Sequence, residues 1–219
     1  MSRARLPRRI AIFAALGLAV SGAAFSGDAW AQTSSGRERA VGARTTIGVP
    51  AANACSQYVA EANSSDEALA ACNRALSTER LNRQLLIATH INRGALHLRR
   101  REGEAALADF DAVLAFDRRH AEAHLNRGAA LVMLNRAGEA VTAITEALGL
   151  GVREPHKAYL NRGAAREQLG DVRGAYEDYN TSLEIQPDWG PANAELARFA
   201  RARRERLAEV LGEEANGGK

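Results

Sequence analysis

The chain has 219 residues, enough for one domain with appendages. Hydrophobic residues make up 46% and aromatics 5%, a balance that suits small-residue helix packing better than an aromatic-rich β sandwich. The formal charge of +3 invites a nucleic-acid reading, which the first segment removes.

That segment, residues 1–31, reads as a signal peptide outside the fold. Arg3, Arg5, Arg8 and Arg9 form a positive start, Ile10 to Val20 an apolar run of 11 residues, and Ala29-Trp30-Ala31 a small-residue cleavage site. The run is short for a membrane span. Arg8-Arg9 follows Pro7 and its flanks fit the twin-arginine signal poorly, which favours the general secretory route. Cleavage would start the mature chain at Gln32. The leader carries four arginines and Asp28, so 25 basic and 25 acidic residues remain of the original 29 and 26. The apparent basicity therefore gives no reason to expect nucleic acid. The predicted location is periplasmic or secreted.

Residues 32–54 are small and polar and read as a flexible linker. Residues 55–77 read as a degenerate first hairpin. Ser64-Ser65-Asp66-Glu67 fits a capping box, with the Ser64 hydroxyl accepting from the backbone of Glu67. Cys55 and Cys72 would face each other across its two antiparallel helices. An even cysteine count in an exported chain predicts that they form a disulfide.

Residues 78–187 read as three full hairpins, with units at about 87–120, 121–155 and 156–189. The helices are expected near Thr78 to Arg101 and Glu104 to Phe116, Ala121 to Asn135 and Gly138 to Leu148, and His156 to Leu169 and Asp171 to Ile185. The first is extended because nothing from Thr78 to Leu86 reads as a breaker. Gly103, Gly138 and Gly170-Asp171 mark the turns. Residues 190–212 form an amphipathic helix suited to capping a solenoid end, and 213–219 a frayed tail.

The three units share a signature. Asn-Arg-Gly-Ala occurs at Asn92, Asn126 and Asn161, with spacings of 34 and 35 residues. Twelve residues after each glycine stands Ala106, Ala140 or Ala175, and four later Phe110, Ile144 or Tyr179. A period of this length marks a solenoid of helical hairpins. With Gly94, Gly128 and Gly163 facing those alanines, and with Pro187 closing the last unit, the chain resembles the tetratricopeptide repeat family. The resemblance covers about residues 55–187. The early aromatic slot of the first helix departs from it, holding His90, His124 and Tyr159.

The resemblance implies an all-α, right-handed αα-solenoid whose first helices line a concave groove. Ile91, Ala95, Leu98, Leu125, Ala129, Val132, Leu160 and Ala164 would form an apolar floor, edged by Arg99, Glu122, Lys157 and Glu167. Such a groove suits a peptide or an amphipathic helix from another protein. Asn92, Asn126 and Asn161 either line it or make local hydrogen bonds that order the hairpins. Asn126 and Lys157 match two positions of the carboxylate clamp some family members use; Ile91, Ala95 and Asn161 occupy the others and depart from it.

Sequence motifs for chemistry are missing. There is no phosphate loop, nucleophile elbow or H-E-x-x-H. His120 and His124 have a zinc-compatible spacing without a third ligand. The chain is expected to be non-enzymatic, without cofactor or metal. Arg198, Arg201, Arg203, Arg204 and Arg206 leave one alternative: an envelope-tethered structural or assembly protein, touching the membrane through this helix or an uncleaved leader.

Overall fold

The structure, a computed structural model, describes residues 50–217; the leader and most of the linker lie outside the described residues. Nine helices and no strand occur among them. They are α1 Ala51–Ala60, α2 Asp66–Thr78, α3 Arg83–Arg99, α4 Gly103–Phe116, α5 Ala121–Met133, α6 Ala137–Gly149, α7 Pro155–Gln168, α8 Val172–Ile185 and α9 Gly190–Gly217. The first eight pair as four antiparallel hairpins, and α9 packs on α8.

Each repeated glycine has a mechanical role. A Cβ at Gly94 would lie 2.7 Å from Phe110 Cε1, at Gly128 2.3 Å from Ile144 Cγ1, and at Gly163 2.6 Å from Tyr179 Cε1. The large side chain of the second helix thus occupies the space that a first-helix side chain would need. Phe110, Ile144 and Tyr179 are fully buried, each contributing about 1.5–3 kcal/mol of apolar transfer. In the first hairpin Cys72 takes that slot and is joined to Cys55 by a disulfide, with both residues fully buried.

The ends of the first helices follow one pattern. Ala62, Arg101, Asn135 and Gly170 have positive φ, and the next amide reaches back five residues in a Schellman turn: Asn63 N–H to Tyr58 O, Glu102 N–H to His97 O, Arg136 N–H to Leu131 O and Asp171 N–H to Arg166 O. Only at Gly170 is the left-handed residue the glycine read as a turn signal. Gly103 is helical, and a Cβ there would lie 2.8 Å from Leu134 Cδ2; Gly138 is helical with open space around it.

Several boundaries differ from the sequence reading. The first helix starts at Ala51 after Pro50, so the linker ends before residue 54. The expected helix through Thr78 is interrupted: α2 ends there, and Asn82 begins α3 by accepting the Leu85 N–H at 2.9 Å. A side-chain oxygen that satisfies a helix-start donor favours a new helix as effectively as a glycine ends an old one. The cap of α2 is Ser65, not Ser64, and accepts from Ala68 N–H at 3.3 Å. Its third helical position is then Ala68, which has no side chain to complete a capping box. The α9 helix continues through residue 217, into the stretch read as a tail.

Candidate peptide-binding groove

First helices contact one another, α1 with α3, α3 with α5 and α5 with α7, while second helices make no comparable contacts among the described residues. The first helices therefore form the closer-spaced, inner face of the stack. Alanine at Ala95, Ala129 and Ala164 allows this approach, and all three are almost fully buried.

That packing separates the expected groove residues into two sets. Ala95, Leu98, Leu125, Asn126, Ala129, Val132, Leu160, Asn161 and Ala164 are all buried. They are core between neighbouring helices, and Leu160 packs in a cluster with Ala192 of α9. Ile91, Asn92, Arg99, Glu122, Lys157 and Glu167 remain partly accessible. The apolar floor is thus a closed seam, and solvent meets a band of polar and charged groups with Ile91 among them. Of the clamp-like pair, Asn126 is closed off and Lys157 is engaged by Glu154 at 2.8 Å.

Most of this band is already paired. Asn92 Nδ2 donates to Ser56 Oγ at 3.1 Å, linking α3 to α1. Arg99 Nη1 donates to Val59 O at 3.0 Å and Gln168 Nε2 to Val132 O at 2.9 Å, so each satisfies a carbonyl near the end of the preceding first helix. Burial pulls the Arg99 guanidinium below its ordinary pKa. Glu122 pairs with Arg153 at 3.3 Å. Glu167 holds Arg198 of α9 and accepts from Tyr179 Oη at 3.2 Å. Burial opposes the Arg198 charge, but hydrogen bonds to Glu167 and Glu195 outweigh it and raise its pKa. Burial, with Glu167 beside it, likewise raises the Tyr179 phenol.

The arginine of Asn-Arg-Gly-Ala points away from this face. Arg93 forks onto Asp109 at 2.7 and 2.9 Å and reaches Asn73 Oδ1 of α2 at 2.8 Å. Arg162 forks onto Asp178 at 2.7 and 3.0 Å and reaches Thr145 Oγ1 of α6 at 3.4 Å. Arg127 has Ala143 where the others have an aspartate, and bonds Asp111 of α4 at 2.7 Å. Asn73, Asp111 and Thr145 hold equivalent register positions, so the same arginine ties each hairpin to the one before it. The sequence reading missed this role; its only signal was an acid 16 residues after two of the three arginines.

Asp109 is the centre of the largest polar cluster. It is 2% exposed and bonds Arg93 and the His90 Nδ1–H at 2.9 Å. His97 Nε2 lies 4.0 Å away, its Nδ1 on Glu102 at 2.6 Å. Burial alone would raise the Asp109 carboxyl, but hydrogen bonds from His90 and Arg93 hold it below the usual range. The other two histidines of interest serve the backbone. His120 Nδ1 caps α5 by accepting from Ala123 N–H at 3.2 Å, and His124 Nε2 donates to Arg118 O at 2.9 Å. No group of three potential metal ligands gathers among the described residues, and no helix there is long and apolar enough to cross a membrane.

Stacked hairpins, a glycine seam and an inner face without converging reactive groups define a helical-repeat scaffold. Comparison with solved structures makes the class specific. The first repeat domain of Spaghetti (RPAP3), bound to the HSP90 peptide SRMEEVD, is 25% identical, with TM-score 0.50, covering 57% of this chain and 97% of that one. YrrB is 19% identical with TM-score 0.56, covering 67% and 73% of the two chains; MamA is 20% identical with TM-score 0.53, covering 75% and 97%. The fold of this chain is that of the tetratricopeptide repeat domains. No protein-family model and no curated protein sequence matches it.

Proposed function

We propose that this chain is an exported, non-enzymatic interaction module that binds an extended peptide or amphipathic helix of another protein along its inner face. The observation that carries the reading is the accessible band on α3, α5 and α7, where Ile91, Asn92, Arg99, Glu122 and Lys157 lie on one rigid surface. With the seam beneath it closed, recognition rests on these side chains rather than on deep apolar pockets. Partner carboxylates and cations would exchange for the internal pairs at Lys157 and Glu122. Two similar folds support peptide binding: the Spaghetti domain holds an HSP90 peptide, and YrrB is described as having an unusual peptide-binding site.

Export to the periplasm or medium is supported by the leader pattern of residues 1–31 and by the Cys55–Cys72 disulfide, which persists in oxidising compartments. Fractionation with N-terminal sequencing tests it: a soluble species beginning at Gln32 is expected, and an intact leader in the membrane fraction contradicts it. For binding, the double variant Ile91→Asp, Arg99→Glu should lose partner capture from envelope extract while keeping its helical spectrum. Undiminished capture contradicts an inner-face site.

A further inference from the structure

The last helix outruns the body it caps. Leu196 and Phe199 of α9 pack in one cluster with Leu160, Ala175 and Tyr179, and the Phe199 ring lies 5.7 Å from that of Tyr179. Arg198 between them is held by Glu167 and Glu195. Beyond Phe199 the helix leaves the repeats. Every residue from Ala200 to Glu205 is exposed, a stretch longer than one helical turn, so all sides of α9 face solvent there. The helix nevertheless continues to Gly217, about 27 Å past Phe199. Helices of this length are marginal on propensity alone and gain most of their stability by laying an amphipathic face on a surface.

The register of α9 contains such a face. The line begun by Leu196 and Phe199 continues at steps of three and four residues through Ala200, Arg203, Leu207, Val210 and Leu211. Helical spacing puts Arg204 and Arg206 along its two edges and Glu205 and Glu209 on the opposite side. Glu213 and Glu214 follow the last apolar position. Cations bordering an apolar line, with acids behind it, match the surface of a negatively charged bilayer. There apolar groups enter the headgroup boundary, arginine stems lie along it and guanidiniums meet lipid phosphates. A second copy is a poorer fit. A stable helix pair needs apolar positions sustained over about three or four heptads, whereas Leu207, Val210 and Leu211 are confined to a single one. No helix among the described residues can cross a membrane, so the match is to lying on the surface.

We propose that the distal half of α9 is a membrane-surface helix, attaching the protein reversibly to anionic phospholipid through Arg203, Arg204, Arg206 and the line of Leu207, Val210 and Leu211. The contact is partly ionic, so salt weakens it and releases the chain as a soluble species. It uses no residue of the inner face and therefore stands or falls independently of peptide binding.

Vesicle flotation tests this on the chain from Gln32 onward, which keeps the whole described fold and lacks the arginine-rich leader. The vesicles are phosphatidylcholine alone, or phosphatidylcholine and phosphatidylglycerol in equal parts. At low salt the wild type should bind the mixed vesicles about tenfold or more tightly than the neutral ones. Arg203→Gln with Arg204→Gln should weaken that binding about tenfold or more, and Leu207→Gln with Leu211→Gln by about as much. Glutamine keeps helix propensity, and these positions lie beyond the packed repeats, so the melting temperature should not change. A wild type that ignores the mixed vesicles overturns the proposal, as does equal binding to both kinds or binding that survives either pair of substitutions. Loss with the arginine pair alone marks a purely ionic partner, such as an acidic protein, and overturns it as well. A wild-type dimer that the leucine pair dissociates assigns the face to a second copy and overturns it too.

Discussion

The first and third repeats differ from the second in how they fill the space behind their arginine. Repeats one and three bury Asp109 and Asp178 there, each gripped by an arginine fork. The middle repeat holds Ala143 at that place, and its Arg127 turns to Asp111, half exposed on the preceding hairpin. The core around the middle repeat is accordingly the most continuous apolar cluster among the described residues, from Leu98 and Phe110 to Ala164 and Ala165. One repeat frame thus accepts either a desolvated ion pair or an apolar contact. Buried charge is tolerated where the partner is fixed by several hydrogen bonds and is otherwise dispensable. A buried pair adds less than its removal costs, so the two polar repeats should be fragile in a way the middle one is not.

The sharpest way to break this comparison is to remove one partner from each kind of repeat. Asp109→Ala leaves Arg93 facing a buried void and should cost about 3–5 kcal/mol in urea unfolding. Asp111→Ala, at a half-exposed pair, should cost less than about 1 kcal/mol. Equal costs would show that the two arrangements are energetically alike. The same contrast appears with acid. The folded-state pKa of Asp109 is depressed, so its stabilisation is present above the unfolded value near 3.9 and is lost as pH falls through the lower folded value. Asp109→Asn should flatten the acid limb of the stability profile, whereas an unchanged limb would assign acid sensitivity to other groups.

The first hairpin sharpens the comparison from outside, since it fills the same slot with Cys72. Reducing its disulfide should cost about 3 kcal/mol by freeing a loop of 17 residues, read as a lower melting temperature with reductant. Next in size is the glycine seam. Gly128→Ala should cost about 1–3 kcal/mol by overpacking against Ile144, and Ile144→Val should recover part of it in a double-mutant cycle. The smallest effect is a gain. Arg101 has φ 64° where the third repeat has Gly170, and Arg101→Gly should stabilise by about 0.5–1 kcal/mol. A loss there would mean that the Arg101 side chain contributes more than its backbone strain costs.

The repeat frame was legible in the sequence because glycine, alanine and a large apolar residue recur at fixed spacing, and the structure places them in contact. The cysteine pairing was legible for the same reason. The helix break before Arg83 was not, because it lacks glycine or proline and depends on Asn82 adopting a cap. The site was legible only in part. Helical periodicity shows that Leu125 and Ala129 face the inner side, but not that neighbouring helices close over them. That closure depends on the spacing between hairpins, which the alanines set jointly and no single residue reports. The arginine's function escaped because its partners lie on other helices, and in the middle repeat the partner is on a different hairpin.

The claim that matters most is that the inner face, rather than the outer one, receives another protein. A photo-crosslinking residue placed at position 91 on the inner face and, separately, at Arg119 in the turn after α4 measures this directly in intact cells. The account predicts a discrete crosslinked species from position 91 and none from position 119. Crosslinks confined to position 119, or equal at both, would contradict it.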